Sequence, residues 1–264
     1  MPDHHLAMDP GTVIEKVEGI ETTEPVFGLS AVWIGEGQRD DAQFSGYTVV
    51  DLSTIIATHL TELLKTNISE LFGRQELTHL LNNFKERHPD VVNDLIPEIL
   101  SLGEVLKVLQ GLLNEGISIR DMRTILEVLA DYGNKIKDCP QLIELSRQAL
   151  YRTITDSVKA ENGDVPLFTL DRNIEESLAQ NLIQTEQGAQ LSLDPKITQS
   201  ILASLNEKIE EATSIGEKMV VLCSPVIRHH FKKLTEKFIP NLVVISHNEL
   251  SPEATVRSLG TVRL

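Results

Sequence analysis

The sequence predicts a mixed α/β (α+β) protein, and three observations carry that prediction. Residues 1–47 read as short strands and loops, because Gly11, Gly19, Pro25, Gly28, Gly35 and Gly37 punctuate brief apolar runs such as Ala31-Val32-Trp33-Ile34. The middle of the chain is a succession of apolar stripes at helical spacing. The last 70 residues alternate apolar strands with helices, the pattern of a parallel sheet.

Tyr47 to Val50 is a β-branched strand, and Asp51 to Thr54 opens a helix carrying Ile55, Ile56, Leu60, Leu63 and Leu64. A second helical run, Ile68 to Arg87, is ended by Pro89, and a third starts near Asp90 and breaks at Pro97. Residues 48–96 therefore read as a small helical unit inserted into something else. A helix over 101–116 places Leu102, Val105, Leu106, Leu109, Leu112 and Leu113 on one face, with Gly116 as its C′ residue.

Ser118 to Tyr132 (SIRDMRTILEVLADY) is the strongest helix signal. Ser118 is placed to cap the first turn with Asp121 three residues on, and Ile119, Met122, Ile125, Leu126 and Leu129 form one stripe. Arg120, Arg123, Glu127 and Asp131 lie opposite. A helix from Cys139-Pro140 to about Val158 completes a compact helical domain. Val165 to Leu170 is a short strand, Asp171 caps a helix to about Leu182, and Glu186 to Ala189 is a polar loop at a domain boundary. Helix 195–213, strand 219–223, helix 225–238 and strand 242–246 then make a βαβ unit with parallel strands.

Composition narrows the function. A formal net charge of −15 argues against DNA or RNA as a partner, since phosphate binding needs a positive surface. No stretch approaches the roughly 18–20 apolar residues of a membrane helix. The N-terminus has no signal-peptide core, and its abrupt strand-like start (His4 to Met8) predicts a fragment of a longer protein. Cys139 and Cys223 are far apart and lack metal spacing, so reduced structural thiols are expected.

Catalytic and metal constellations are not evident. His229 and His230 are adjacent, so on a helix they point about 100° apart and cannot both hold one ion. His59 reads as a structural histidine. Gly35-Glu36-Gly37 is too short for a dinucleotide loop. Cys223 ends an apolar strand before Ser224-Pro225, a location common for ligands in parallel sheets; this leaves a small-molecule site at the Cys223 strand end as an alternative to a binding module. Phe72, beside Gly73, is either core or an aromatic anchor in a groove.

Three strings resemble the cytoplasmic domain of the type III secretion export-gate family: GYTVVDLSTIIATHL (46–60), LFGRQE (71–76) and SIRDMRTILEVLADY (118–132). LAMDPGT, EPVFGLSAVWI, VVLCSPVIRHHFKKL and VVISHNELSP also fit, so the resemblance covers the whole chain. The flagellar branch is nearest, and the virulence injectisome proteins are its sisters.

The resemblance implies four subdomains: 1–47 with 97–116 (the first, N-terminally incomplete), 48–96 inserted as the second, 117–190 as a helical third and 191–264 as an α/β fourth. It implies membrane spans upstream of this chain, a place at the cytoplasmic face of the bacterial inner membrane, and a ring of nine copies. The expected partners are flagellar export chaperones with their cargo, the export ATPase complex and other gate proteins. Enzymatic activity, cofactor and metal are not implied. The chaperone-binding residue of the family falls on Phe72; its acidic neighbour falls on Ser69 or Glu70, and a family threonine is replaced by Gly103. Arg74, Gln75 and Pro97 complete the expected site, and Arg120 and Arg123 are the expected ring contacts.

Overall fold

The computed structural model describes residues 4–26, 28–185 and 188–264, and the chain divides into two compact units, 1–71 and 72–264.

The first unit is built on a four-stranded antiparallel sheet of order β2-β3-β1-β4. Its elements are β1 (His4–Met8), β2 (Ile20–Thr23), β3 (Ser30–Gly35), α1 (Arg39–Phe44), β4 (Thr48–Asp51), α2 (Leu52–Thr66) and α3 (Ile68–Leu71). β1 is central, pairing Leu6 with Trp33 on one side and with Val50 on the other. Alternation along the strands splits the core between two faces. Ala7 and Ile34 pack with Ala42 and Tyr47, whereas Leu6 and Ala31 pack with Ile55. Asp51 caps α2, accepting from Thr54 N at 2.9 Å.

The second unit begins with helices: α4 (Arg74–Lys85), α5 (Pro89–Leu95), α6 (Leu102–Asn114), α7 (Met122–Tyr132), α8 (Cys139–Ala149) and α9 (Tyr151–Ser157). There follow β5 (Val165–Leu170), α10 (Arg172–Gln180), β6 (Leu182–Thr185), β7 (Gly188–Leu191), α11 (Pro195–Ser214), β8 (Val220–Cys223), α12 (Pro225–Thr235), β9 (Val243–Ser246) and β10 (Val256–Val262). The strands β10-β5-β8-β9 form a parallel sheet in that order. Helices cover both faces, which is why β5, β8 and β9 are apolar at most positions. Val165, Leu167, Val220 and Leu222 point into the core shared with Leu126 and Leu109, while Phe168, Leu170, Val221 and Cys223 point into a second core with Ile201, Ile227 and Phe231. α6 and α8 pack closely because Gly111 lacks a side chain; a Cβ there would lie 2.3 Å from Ile143 Cδ1.

The mixed α/β class and the parallel β8–α12–β9 unit are as the sequence predicts, but several elements differ. The Ile68–Arg87 run is two helices, interrupted at Phe72-Gly73, where the Glu76 carboxylate accepts from Gly73 N at 3.0 Å and restarts the helix. The helix expected from Ser118 starts at Met122: Asp121 is its cap, accepting from Thr124 N at 3.2 Å, while Ser118 Oγ accepts only from Arg120 N at 3.4 Å. The 139–158 helix breaks at Leu150 into α8 and α9. The polar loop near 186–189 is a β-hairpin, with Gly188 and Ala189 already in β7; Glu186 and Gln187 lie outside the described residues. Strand β10 was not foreseen. The expected four-part division maps differently onto the two units, with 48–96 divided between them and 97–116 in the same core as 117–190.

Candidate functional site

Phe72 stands where the second unit begins. It is half-buried and packs against the main core of that unit. Its carbonyl accepts from Gln110 Nε2 of α6 at 2.9 Å, which fixes the backbone at the break between α3 and α4. Arg74 is brought to Gly103; a Cβ at 103 would lie 3.5 Å from Arg74 Nη2, an ordinary contact distance. Gln75 and Pro97 are exposed in the same unit. Ser69 and Glu70 lie on α3 in the first unit, Ser69 half-buried and Glu70 exposed. Arg120 is exposed, and Arg123, also exposed, pairs with Glu127 at 2.8 Å.

The first unit carries an apolar surface on α2 and α3. Of the residues of α2 only Ile55 is buried, whereas Ile56, Leu60, Leu63 and Leu64 are about half exposed, as is Leu71 on α3. The exposed set follows an i, i+4, i+7, i+8 pattern, one side of a helix. The acidic and basic side chains on α2, Glu62 and Lys65, are joined to each other at 2.6 Å. An uncharged apolar helix face in contact with water is the ordinary signature of an interaction surface.

A buried charged cluster in the second unit was also missed. Arg147 holds Glu249 through Nε at 2.6 Å and Nη2 at 3.1 Å, and reaches Glu115 through Nη1 at 2.9 Å. Arg228, fully buried, donates through Nη1 and Nη2 to Glu115 at 2.6 and 3.0 Å, and through Nε and Nη2 to Glu144. Both guanidiniums also donate to the Val244 carbonyl. The end of α6, helix α8, helix α12, strand β9 and the turn at His247–Glu249 are thereby joined. Burial opposes ionisation of Glu115, but two guanidiniums hold its carboxyl below the usual range; Glu144, which meets Arg228 alone, is pushed up by burial. The five residues are too scattered in sequence for any motif to announce them.

His229 lies beside this cluster, and Glu115, Glu144 and His229 offer metal-ligand atoms within 4.8 Å of one another. Glu115 already bridges two guanidiniums and Glu144 is held by one of them, so a cation would enter against two fixed positive charges. The Cys223 alternative fares no better. The thiol is fully buried, its pKa is raised by that burial, and Sγ faces the Ile245 carbonyl at 3.8 Å. The start of α12 is occupied by the Glu175 carboxylate, which accepts from Ser224 N at 2.8 Å. The strand end is closed by the protein's own side chains.

A parallel sheet covered on both faces, joined in sequence to a smaller antiparallel unit, defines a two-unit α/β domain. The chain belongs to the FHIPEP family, which matches residues 1–255. It is 43% identical over 260 residues to the flagellar biosynthesis protein FlhA of Bacillus subtilis, covering 98% of this chain and 38% of that relative. It is 37% identical to FlhA of Escherichia coli, covering 99% of this chain and 37% of that protein. The chain thus spans under two fifths of the length of these relatives. Among solved structures it is similar to the Chlamydia pneumoniae CdsV protein (27% identity, TM-score 0.86, all of this chain and 75% of that one). It is also similar to the nonameric SctV-C of EPEC (27% identity, TM-score 0.78, 99% of this chain and 79% of that one). Among the described residues no helix is long and apolar enough to cross a membrane.

Proposed function

We propose that this chain is the cytoplasmic docking domain of a flagellar type III export gate, which receives export chaperones with their cargo and works as a ring of copies. The observation that carries the reading is end-to-end similarity to flagellar proteins, with FlhA of B. subtilis 43% identical across 98% of the chain. Ring assembly is supported by the nonameric SctV-C and EscV structures to which the chain is similar. The solved CdsV and CdsO complex, whose CdsV component this chain resembles, supports contact with a further protein of that kind. This reading places the full protein at the cytoplasmic face of the inner membrane.

The work is binding and needs no cofactor. Its docking site is centred on Phe72, half-buried, with Arg74, Gln75, Pro97 and Gly103 of the same unit. Aromatic side chains such as Phe72 are the usual anchors of protein interfaces. The test is titration calorimetry of a flagellar chaperone–cargo complex against the chain and against Phe72→Ala, with circular dichroism to check folding. A folded Phe72→Ala protein that binds at least tenfold more weakly is expected; unchanged affinity overturns the site.

A further inference from the structure

The parallel sheet of the second unit ends in two edge strands, β9 and β10, which are finished in different ways. Val243 N donates to the Met219 carbonyl at 3.3 Å, so Val243 faces β8 and its neighbours Leu242 and Val244, like Ser246, turn their main-chain groups outward. Side chains answer each of them. The Leu242 carbonyl accepts from Lys232 Nζ at 2.8 Å, and the Val244 carbonyl accepts from Arg147 and Arg228. Ser246 N donates to the Glu249 carboxylate at 2.7 Å. The β9 edge is thereby closed to another strand.

The β10 edge is open. Val165, which stands opposite Val256, donates to the Thr255 carbonyl at 2.8 Å. The residues flanking Val256 therefore bond to β5, while Val256 and Ser258 face out. Past the bulge between Ser258 and Gly260, Asp171 N donates to the Val262 carbonyl at 2.9 Å, which turns Thr261 and Arg263 outward. Arg263 N is taken by Ser204 Oγ of α11 at 3.3 Å. Among the described residues no hydrogen bond reaches the outward N–H or C=O of Val256, Ser258 or Thr261. Val256 and Ser258 are exposed to water.

Helix α11 runs beside the far end of this edge and borders a hollow of about 720 Å³ with it. Ser200, Ala203 and Ser204 line one side and Thr261 the other. The small side chains leave room for a polypeptide backbone. The charges around the hollow and along the edge are already answered. Lys208 holds Glu211 at 2.6 Å and lies 4.0 Å from Glu207, Arg263 lies 4.0 Å from Asp171, and Arg257 holds Glu217. No unanswered charge selects an acidic or a basic visitor.

We propose that the outer edge of β10 takes an extended, uncharged segment of a partner polypeptide as a fifth strand of the sheet, running on into the hollow beside α11. What satisfies a row of outward main-chain donors and acceptors is another extended backbone, as in recognition by strand addition. Val256 to Thr261 span about 20 Å at ~3.3 Å per residue, the reach of a hexapeptide.

The test uses the whole chain and a fluorescein-labelled hexapeptide of alternating threonine and valine, read by anisotropy and by amide shifts. The control is the same peptide N-methylated at every residue, which cannot donate main-chain hydrogen bonds. The parent peptide should bind and shift the amides of Val256, Ser258 and Thr261 but not that of Val244. The methylated peptide should bind at least tenfold more weakly. Ser258→Pro, which removes an outward N–H and leaves the bonds to β5, should lose at least tenfold in affinity with the amide shifts of β5 unchanged. Replacing valine by lysine or glutamate in the peptide should not tighten binding. Phe72→Ala should leave it intact, which separates this edge from the chaperone site. Absent binding, equal binding of the parent and methylated peptides, shifts at the β9 edge, or tighter binding of a charged peptide overturns the proposal. Self-association of the peptide-free protein that Ser258→Pro abolishes also overturns it, since a second copy would then be the occupant.

Discussion

Helix α2 and the Arg147–Arg228 cluster use their side chains in opposite ways. On α2 the apolar residues Ile56, Leu60, Leu63 and Leu64 face water, and folding draws little from them. In the cluster charged residues are buried, and the fold depends on each having its partner. The apolar surface is left to water, and the charge is used to join elements inside the chain. Subdomain movement, where the protein uses it, should spare the joint between α6, α8, α12 and β9, because separating those elements would strip buried charges of their counter-ions.

The sharpest way to break this contrast is Arg228→Met. It leaves Glu115 and Glu144 buried without their shared guanidinium, and chemical denaturation should register a loss of about 3–5 kcal/mol. A loss below about 1 kcal/mol would mean that the cluster is not a structural joint. Next in size is the cap of α7. Asp121→Ala should cost about 0.5–2 kcal/mol, whereas Ser118→Ala should fall within about 0.5 kcal/mol of the parent, which separates the observed helix start from the one the sequence suggested.

A smaller effect concerns pH. Burial and the neighbouring Arg228 lower the pKa of His229 below its ordinary 6.5, with Lys233 adding to the shift and Glu115 and Asp138 opposing it. Burial and His229 lower His230 in the same direction. Between the folded and unfolded pKa values the unfolded chain binds more protons, so stability is full above about pH 6.5 and declines as pH falls through the folded value. Denaturation midpoints measured from pH 7.5 to 5 should show this slope, and His229→Asn should flatten it. The smallest expected effect is on α2: Leu60→Ser should change stability by less than about 0.5 kcal/mol, because the side chain is already exposed. A large destabilisation there would return the helix face to the core.

What was legible in the sequence follows from how local each signal is. The parallel β8–α12–β9 unit could be read because apolar runs and a proline at the first helical turn lie within 30 residues of one another. Strand β10 could not, since Val256 to Val262 is interrupted by Gly260, whose φ of +152° accompanies a register shift against β5. The leucines of α2 announce a helix but not its exposure, because periodicity shows that a face is apolar and not what covers it. The Arg–Glu cluster joins residues up to 113 positions apart and had no local signature. At the candidate site Phe72 was placed within a helix, yet Gly73 and Glu76 together restart the chain there, a capping pattern inside LFGRQE that was available to be read.

The central claim is that the chain binds visiting export complexes through the region around Phe72. Calorimetric titration of a flagellar chaperone–cargo complex tests it most directly. The parent chain should bind, and a folded Phe72→Ala protein should bind at least tenfold more weakly; equal heats and equal affinity for the two proteins would contradict it.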